Sequence, residues 1–326
     1  MRSAANAPDQ RDVPLRSGEH RADNQGGALN RRDDRLYLVD ASIYLYNGLR
    51  RHGEAYSDHN GRAAGAVRGL VEALAQIAEA GATHVVCAFD GPRDRLLRRA
   101  AFPAYKAQRP AVLPSMAQQR LDARAAVAQL GYAALQHDAY EADDIIATLA
   151  RRARAAKRAV VIVSADRDLV QVLRPGDEYW HLAAGQRKAY STVQKGLRVT
   201  PERLPEVLAL CGDAVDNVPG VPGINRGLAT RLIRKWGSVE ALYSHLDRGL
   251  ASGVRGAPGL ADTLLTHREQ VDAARALVQL VDVPLDDDAA SAPTTTASQV
   301  VNVCARLGLE RAAADALVAR AERVAA

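Results

Sequence analysis

Three short apolar runs have the length of β-strands, and aspartates follow each of them at once or within a few residues. Helix-like amphipathic stretches separate the runs, and the clearest of these covers residues 62–80. This alternation predicts an α/β fold in which a mostly parallel central sheet carries helices on both faces. The runs and their acids are residues 36–39 with Asp40, residues 85–89 with Asp90, and residues 160–164 with Asp166 and Asp168.

A further acidic group opens another helix-like stretch, where Glu141, Asp143 and Asp144 stand close together. One acid at a helix start is favoured by free backbone amides, but each extra like-charged pair costs about 4 kcal/mol at ~4 Å and an effective dielectric of ~20. A solvated acidic loop or helix start is the alternative for any single acid. Because ligands bind at the carboxyl ends of parallel strands, we expect all these acids to converge at one sheet edge.

The acidic group contains neither His nor Cys, and clustered carboxylates favour hard cations over zinc: Mg²⁺, with Mn²⁺ as an alternative. Two such ions about 4 Å apart suit in-line displacement at phosphorus, because one activates water while the other stabilises the leaving oxygen. The acids therefore predict a phosphodiester substrate.

The three cysteines lie far apart without CxxC spacing, which argues against a disulfide framework or a thiolate site.

Basic residues are concentrated in two stretches. Overall the chain has 43 Lys and Arg against 38 Asp and Glu, which permits a polyanionic partner without requiring one. In residues 91–110, Lys106 and Arg109 share a face if the segment is helical, and they can then hold a scissile phosphate; a solvated basic helix is the alternative. Residues 217–235 combine a Gly turn with a basic, acid-free helix that suits phosphate binding, although a plain loop is the alternative there.

Several short motifs recur in one order along most of the chain. They are Leu38-Val39-Asp40, Phe89-Asp90, Tyr105-Lys106 with Arg109-Pro110, Glu141-Ala142-Asp143-Asp144, Asp166-Arg167-Asp168, and Gly212-Asp213 with Asp216-Asn217 and Pro219-Gly220. In these residues the chain resembles the 5′ nucleases: the nuclease domain of bacterial DNA polymerase I, phage 5′ exonucleases and flap endonucleases. The length resembles that of the stand-alone bacterial 5′–3′ exonucleases.

The resemblance implies metal ligands residue by residue. It assigns two ions, with Asp143 between them and with Asp144 and Asp213 in outer positions. The implied ligands are Asp40, Asp90, Glu141 and Asp143 for the first ion, and Asp166, Asp168 and Asp216 for the second.

The resemblance also implies contacts with DNA. Lys106 and Arg109 would bind the scissile phosphate, Tyr105 would stack on the terminal nucleotide, and Arg98 would be a further arch arginine. Residues 220–235 resemble a helix-hairpin-helix-type grip on duplex DNA, which often carries a K⁺ ion. Its implied contacts are Gly220, Gly223, Asn225, Arg226 and Arg231.

Three positions depart from the family pattern. In the hairpin, Asn225 replaces a Gly and Gly227 replaces a Lys, and Asn47 stands where polymerase-linked members carry Arg. Because Asn tolerates a left-handed backbone, we expect the turn to survive. The phosphate contact of the missing Lys and the K⁺ site are the features that these changes affect, with Arg226 as a substitute for the Lys.

We predict four segments. Residues 1–34 form a disordered leader; residues 35–195 form a PIN-like catalytic α/β domain with an arch at 91–115 and a hairpin near 179–190. Residues 196–283 form the all-α helix-hairpin-helix-type DNA-binding domain, and residues 284–326 form a linker and C-terminal helices. No run of about 18 apolar residues and no export signal occurs, which predicts a cytoplasmic monomer without a membrane partner.

The function expected from these features is a Mg²⁺-dependent 5′ nuclease of replication or repair, acting on DNA with a frayed or free 5′ end or a 5′ flap. A PIN-type ribonuclease is one alternative, but it would lack the basic arch and the duplex grip. A non-catalytic DNA-junction binder is the other, and loss of the metal-binding acids would favour it. None of these acids is missing.

Overall fold

The computed structural model describes residues 33–249 and 259–325. The predicted disordered leader lies outside the described residues except for Asp33 and Asp34, which already belong to the first strand. Among the described helices, none combines the length and apolar character needed to span a bilayer. The domain boundaries at residues 195 and 283 stay predictions.

A six-stranded sheet forms the centre of the fold, in the order β3-β2-β1-β4-β5-β6. All neighbouring strands run parallel except β5 and β6, which form the antiparallel hairpin expected near residues 179–190. The mostly parallel sheet that the sequence predicts is therefore confirmed. The strands are β1 (Asp33–Asp40), β2 (Ala82–Phe89), β3 (Ala133–Gln136), β4 (Val160–Val163), β5 (Glu178–His181) and β6 (Gln186–Ala189).

Helices connect the strands and continue beyond the sheet. Four short 3₁₀ segments add to them at Arg93–Arg95, Arg167–Val172, Leu182–Ala184 and Pro201–Arg203. The α-helices are α1 (Ala41–His52), α2 (Gly65–Glu79), α3 (Leu97–Ala101), α4 (Pro114–Gln129), α5 (Ala142–Ala155), α6 (Tyr190–Leu197), α7 (Leu204–Cys211), α8 (Arg226–Trp236), α9 (Val239–Leu246), α10 (Leu260–Thr266), α11 (Arg268–Val278), α12 (Ala297–Arg306) and α13 (Arg311–Ala325).

Both faces of the sheet are covered, as predicted. Successive strand residues point to opposite faces, so Tyr37 and Val39 of β1 pack into one hydrophobic core, and Leu38 packs into another. The first core includes residues of α1, α2, α4, α12 and α13, and the second includes residues of α5 and α7. The C-terminal helices, for which the sequence suggests no chemistry, thus complete one face of the sheet.

A third hydrophobic core joins α7, α8, α9, α10 and α11 into the helical region. Between α7 and α8 the chain turns tightly, and a Cβ atom at Gly220 would lie only 2.2 Å from the carbonyl oxygen of Cys211. Glycine is therefore required at this position by the close approach of two backbone segments. The Gly turn and the basic helix predicted within residues 217–235 are present, and α8 is that helix.

The arch, residues 91–115, contains one 3₁₀ turn and α3, and then closes onto the loop at residues 213–218. The backbone amide of Lys106 donates to the carbonyl of Asp216 at 3.0 Å, and the Asn217 side chain donates to the Ala104 carbonyl at 2.7 Å. Both Lys106 and Asn217 have positive φ angles, 52° and 56°. Gln108 also donates to the Val215 carbonyl at 2.8 Å, so side chains as well as backbone join the arch to this loop.

Candidate active site

Asp40 and Asp90 lie side by side because their strands are parallel neighbours. Asp40 ends β1 and pairs in register with Ala88 of β2, two residues before Asp90. Asp40 also caps α1 through the amide of Ile43, and Asp90 accepts a hydrogen bond from the amide of Ala142 at 2.9 Å. The second contact ties the end of β2 to the first residue of α5.

The start of α5 carries the next three acids, as the sequence predicts. Glu141 is the N-cap residue, and it forms a capping box with Asp144 in which each side chain accepts from the backbone of the other. Asp144 is fully buried, whereas Asp143 is only partly buried. Capping therefore accounts for Glu141 and Asp144 locally, but it does not account for Asp143.

Asp166 and Asp168 follow β4 at the same edge of the sheet. Asp166 accepts from the amide of Asp168 at 2.8 Å and so opens the 3₁₀ turn at Arg167–Val172. The loop after α7 adds Asp213 and Asp216, which lie close to Asp166 and Asp168. Acids from the α/β sheet and from the helical region thus meet at one place.

The pKa values record how strongly these acids interact. Burial, and then repulsion by Asp90, raises the pKa of Asp40 to about 7. Burial, and then repulsion by Asp166 and Asp40, raises the pKa of Asp143 well above its ordinary value. Burial and repulsion by Asp166 likewise raise the pKa of Asp168 to about 7. The carboxyl group of Asp143 therefore interacts electrostatically with acids of both groups, those at the end of β1 and those after β4.

A small cavity of about 30 Å³ opens among these side chains. Six of the predicted ligands line it: Glu141, Asp143, Asp166, Asp168, Asp213 and Asp216. A cavity of this size has room for one or two water-sized species. The donor set consists of carboxylates that repel one another when charged, and this set suits hard divalent cations. Within the described ranges, however, no three acidic, His or Cys side chains stand in a ready-made metal-binding arrangement.

Basic side chains of the arch reach into the acidic cluster. Lys106 forms an ion pair with Glu141, and its ammonium group lies 3.3 Å from Asp216. Arg109 donates to Asp216 at 2.5 Å. Burial alone would raise the pKa of Glu141, but the charges of Lys106 and Arg98 lower it below its ordinary value. The cations thus neutralise part of the acidic cluster.

Two other arch residues are more enclosed than their predicted DNA contacts suggest. Tyr105 is 3% exposed, and its hydroxyl donates to Glu141 at 2.9 Å. The side chain of Arg98 is 11% exposed and forms ion pairs with Glu141 and Asp144. Stacking by Tyr105 and DNA binding by Arg98 stay predictions, and in this conformation both side chains are occupied by carboxylates.

The hairpin differs from the expectation at Asn225. Its φ of −83° is not left-handed, and its side chain instead accepts from the amide of Leu228 at 2.9 Å as the N-cap of α8. The left-handed residue in the turn is Gly223, with φ of 78°. The expectation that Asn225 adopts a left-handed backbone in the turn is therefore wrong. Asn replaces Gly at this position as the cap of a helix. Arg226 and Arg231, both exposed, lie on α8 after the turn.

Two serines that the sequence analysis did not identify hold the acids of the site in place. Ser164 donates to Asp40 at 2.9 Å and accepts from the amide of Asp166, so it links the ends of β1 and β4. Ser42 accepts from the amide of Asp90 at 2.9 Å. The only signal for either is its place next to a strand end, since a lone Ser is common in loops.

Family models match almost the whole described chain. A model of the 5′–3′ exonuclease N-terminal resolvase-like domain matches residues 35–202, and a model of the 5′–3′ exonuclease C-terminal SAM fold matches residues 199–299. The chain belongs to the 5′–3′ exonuclease family. This confirms the family that its motifs resemble, whose members are hydrolytic nucleases.

Relatives in sequence include DNA polymerases. The chain is 34% identical to DNA polymerase I of Pseudomonas aeruginosa over 77% of its own length and 28% of that protein. It is 36% identical to the thermostable DNA polymerase I of Thermus thermophilus, over 78% of its own length and 30% of that protein. The chain therefore spans less than a third of each of these curated relatives.

Similar solved structures support the fold. The T5 D15 protein co-crystallised with metal ions matches with a TM-score of 0.62 at 17% identity, covering 90% of this chain and 100% of that one. Flap endonuclease-1 from Methanococcus jannaschii matches with a TM-score of 0.57 at 16% identity, covering 90% of this chain and 94% of that one. The PIN-like α/β fold with a helical region is thereby confirmed.

Proposed function

We propose that this protein is a divalent-metal-dependent 5′ nuclease that hydrolyses phosphodiester bonds in DNA with a free or frayed 5′ end or a 5′ flap. The observation that carries the proposal is the meeting of strand-end and helix-start carboxylates in one cavity, where Lys106 and Arg109 form ion pairs with two of the lining acids, Glu141 and Asp216. A cluster of carboxylates can bind cations, and two adjacent basic side chains can bind an anion. A phosphodiester that is cleaved with the help of metal ions requires both kinds of binding group.

The residues that would hold two Mg²⁺ or Mn²⁺ ions are those implied by the family motifs. Bound ions would supply the Lewis acidity that activates water and stabilises the leaving oxygen. Hydrolysis would leave a 5′ phosphate. Asp143 is suited to a place between the two ions, because its charge interacts with both Asp40 and Asp166. Asp144 and Asp213 remain outer residues in this proposal.

Lys106 and Arg109 would exchange their carboxylate partners for the scissile phosphate. Both now pair with Asp216, a predicted metal ligand, and a cation held by Asp216 would compete with them for its carboxylate. Once released from Asp216, the two basic side chains can stabilise charge that develops on the phosphate oxygens. Solved relatives include a T5 D15 flap endonuclease in complex with DNA and metal ions, which supports the choice of substrate.

The exposed basic side chains of α8 would bind duplex DNA beside the cavity. Burial and neighbouring acids raise the pKa of Asp168, and Arg226 is close enough to offset a part of this rise. A K⁺ ion at the residue 220–225 turn, a monomeric state, a cytoplasmic location and a role in replication or repair belong to the same proposal. Their support is the family motifs and the sequence features described above.

One assay tests the function. The protein and its Asp143→Ala variant are incubated with 5′-flap DNA, blunt duplex DNA and single-stranded RNA, each with Mg²⁺, with Mn²⁺ or with EDTA. We expect cleavage of the DNA flap by the unaltered protein with metal, and none with EDTA or Asp143→Ala. Preferred cleavage of RNA would favour a ribonuclease, and tight flap binding without any cleavage would favour a junction-binding protein.

A further inference from the structure

Arg98 lies at the base of the arch, on α3, and its side chain reaches the start of α5. There it contacts the two acids of the capping box, Glu141 and Asp144. It also donates to two backbone carbonyls at the end of α11, those of Leu277 in the last turn and of Gln279 just after the helix. One side chain thus joins the arch, the α/β sheet and the helical region.

Every N–H group of this guanidinium has a protein acceptor. Arginine offers five donors in a rigid planar fork. The Nε atom donates to the Leu277 carbonyl at 2.8 Å, and Nη1 donates to Glu141 at 2.9 Å and to Asp144 at 2.5 Å. The Nη2 atom donates to Asp144 at 2.7 Å and to the Gln279 carbonyl at 3.0 Å. No donor is left for a phosphate oxygen.

The ion pair with Asp144 holds the guanidinium in this place. Asp144 is 0% exposed, and its remaining contacts are with backbone amides, those of Glu141 at 3.3 Å and Val281 at 3.1 Å. If Arg98 moved to a DNA phosphate, it would leave a buried carboxylate without a counter-charge, which is strongly unfavourable. By contrast, Arg109 is 38% exposed and can exchange partners at lower cost.

The same contacts orient Glu141. Its Oε2 atom accepts from both Arg98 and Tyr105, whereas its Oε1 atom pairs with the ammonium of Lys106. When Lys106 leaves for a phosphate, Oε2 remains held and Oε1 becomes free. Arg98, together with Tyr105, therefore determines which oxygen of Glu141 stays bound within the protein.

We propose that Arg98 is a positioning residue that fixes Glu141 and Asp144 for metal binding, and that it does not bind DNA. The inference rests on the proposed function, in which Glu141 is a metal ligand. It differs from the sequence-based expectation that Arg98 contacts DNA. Residues that orient metal ligands typically change metal affinity about 10–100-fold when they are altered.

The decisive variants are Arg98→Met, Asp144→Asn and their combination. Arg98→Met should weaken Mn²⁺ binding about tenfold by calorimetry and lower kcat on flap DNA about 10–100-fold. DNA affinity, measured in Ca²⁺ without turnover, and its salt dependence should stay unchanged. A lost phosphate contact would instead weaken DNA binding and reduce the slope of log Kd against log salt by about one, which would overturn the proposal.

Unfolding experiments give a second readout that does not need activity. Arg98→Met should lower the midpoint of urea unfolding, and adding Asp144→Asn should recover part of that loss, because the unpaired charge is then removed. Additive effects of the two changes would contradict the proposed pair. If wild-type protein cleaves no DNA, the proposed function fails, whereas the coupling of Arg98 with Asp144 can still be measured.

Two further variants complete the design. Arg95→Met removes an exposed arginine of the same arch, whose ion pair partner Asp138 is 61% exposed, and should leave Mn²⁺ binding unchanged. Arg98→Lys keeps the charge but not the five-donor fork, and it remains informative if Arg98→Met does not fold. We expect Arg98→Lys to lose kcat and Mn²⁺ affinity; wild-type values for both would overturn the positioning role.

Discussion

The ammonium of Lys106 forms a buried ion pair with the carboxylate of Glu141, although the sequence predicts a phosphate for the first group and a metal ion for the second. Burial alone would lower the pKa of Lys106, but Glu141, Tyr105 and Asp216 raise it well above its ordinary value. Each ion of the pair therefore keeps the other charged. The pair links metal binding with phosphate binding, because neither partner can serve its predicted ligand while the two remain together.

Replacing Lys106 with Met should have two opposite effects. In the absence of DNA, Ca²⁺ should bind about tenfold more tightly, a change of about 1.4 kcal/mol, because the competing cation is gone. Cleavage of bound flap DNA should slow about 10²–10³-fold, because a charge aimed at the transition state is lost. Calorimetry and single-turnover kinetics at saturating protein measure the two effects. Lys188→Met, at an exposed position of β6, is the control; equal single-turnover rates for Lys106→Met and wild type would refute the catalytic role.

In the absence of metal, the free energy of unfolding should fall as the pH rises, because the Asp40 carboxyl group loses its proton. The pKa of this carboxyl is raised from 3.8 to about 7 by burial and by Asp90, so the folded protein holds a proton that the unfolded chain releases. Its stabilising contribution is complete below about pH 4 and is lost as pH rises through 7. From about pH 5.5 to about pH 8.5, the loss for this one group is about 2 kcal/mol.

Urea unfolding in EDTA across this range measures the effect. Asp40→Asn should remove about 2 kcal/mol of the pH dependence and make the metal-free protein more stable at high pH. Asp315→Asn, at a position that is 73% exposed, should leave the dependence as it is. A pH dependence that is identical in wild type and Asp40→Asn would show that the carboxyl does not carry a raised pKa.

Arg231 on α8 should contribute to DNA binding through charge alone. Because counterions are released when a phosphate is neutralised, Arg231→Ala should weaken binding of every duplex sequence to a similar degree and reduce the salt slope by about one. Fluorescence anisotropy with Ca²⁺ at several salt concentrations gives both quantities. Arg311→Ala on α13, at a side chain that is 96% exposed, should change neither. Equal slopes for Arg231→Ala and wild type would place the duplex elsewhere.

The cap at Asn225 should have a measurable effect on stability. Asn225→Ala removes the acceptor for the amide of Leu228 and should cost about 1 kcal/mol, whereas Asn225→Gly should cost only a few tenths of a kcal/mol. Thermal unfolding measures both variants. Equal stability of Asn225→Ala and wild type would contradict the capping role.

The K⁺ ion at the turn, which is part of the proposed function, should have a separate effect. Unfolding temperatures of wild type should differ between K⁺ and Na⁺.

Local patterns were sufficient for the sheet and for its acids. Apolar runs of strand length predict β1, β2 and β4, and parallel neighbours necessarily bring Asp40 and Asp90 to one edge. The turn at Asn225 shows where local reasoning fails, because the same residue suits a left-handed turn and a helix cap. Its backbone angles, which depend on how α7 and α8 pack, decide between these two uses.

Partners of the long basic side chains could not be predicted from spacing. Arg98 and Lys106 both resemble arch cations in the sequence, yet one has all its donors bound within the protein and the other pairs with acids at the cavity. Their different surroundings come from residues far away in the chain, at 277–279 and at Asp216. Sequence separation of this size carries no pairwise signal in a single chain.

The sequence by itself determined the α/β fold, the family and the set of acids at the sheet edge, because hydrophobic periodicity and strand-end positions are local properties. Only the tertiary structure decided which cation meets which carboxylate, and hence that Glu141 is held by Arg98 and Tyr105 on one oxygen and by Lys106 on the other. The physical reason is that burial and electrostatic pairing depend on all the elements that pack around a group, and these elements meet only in the folded chain.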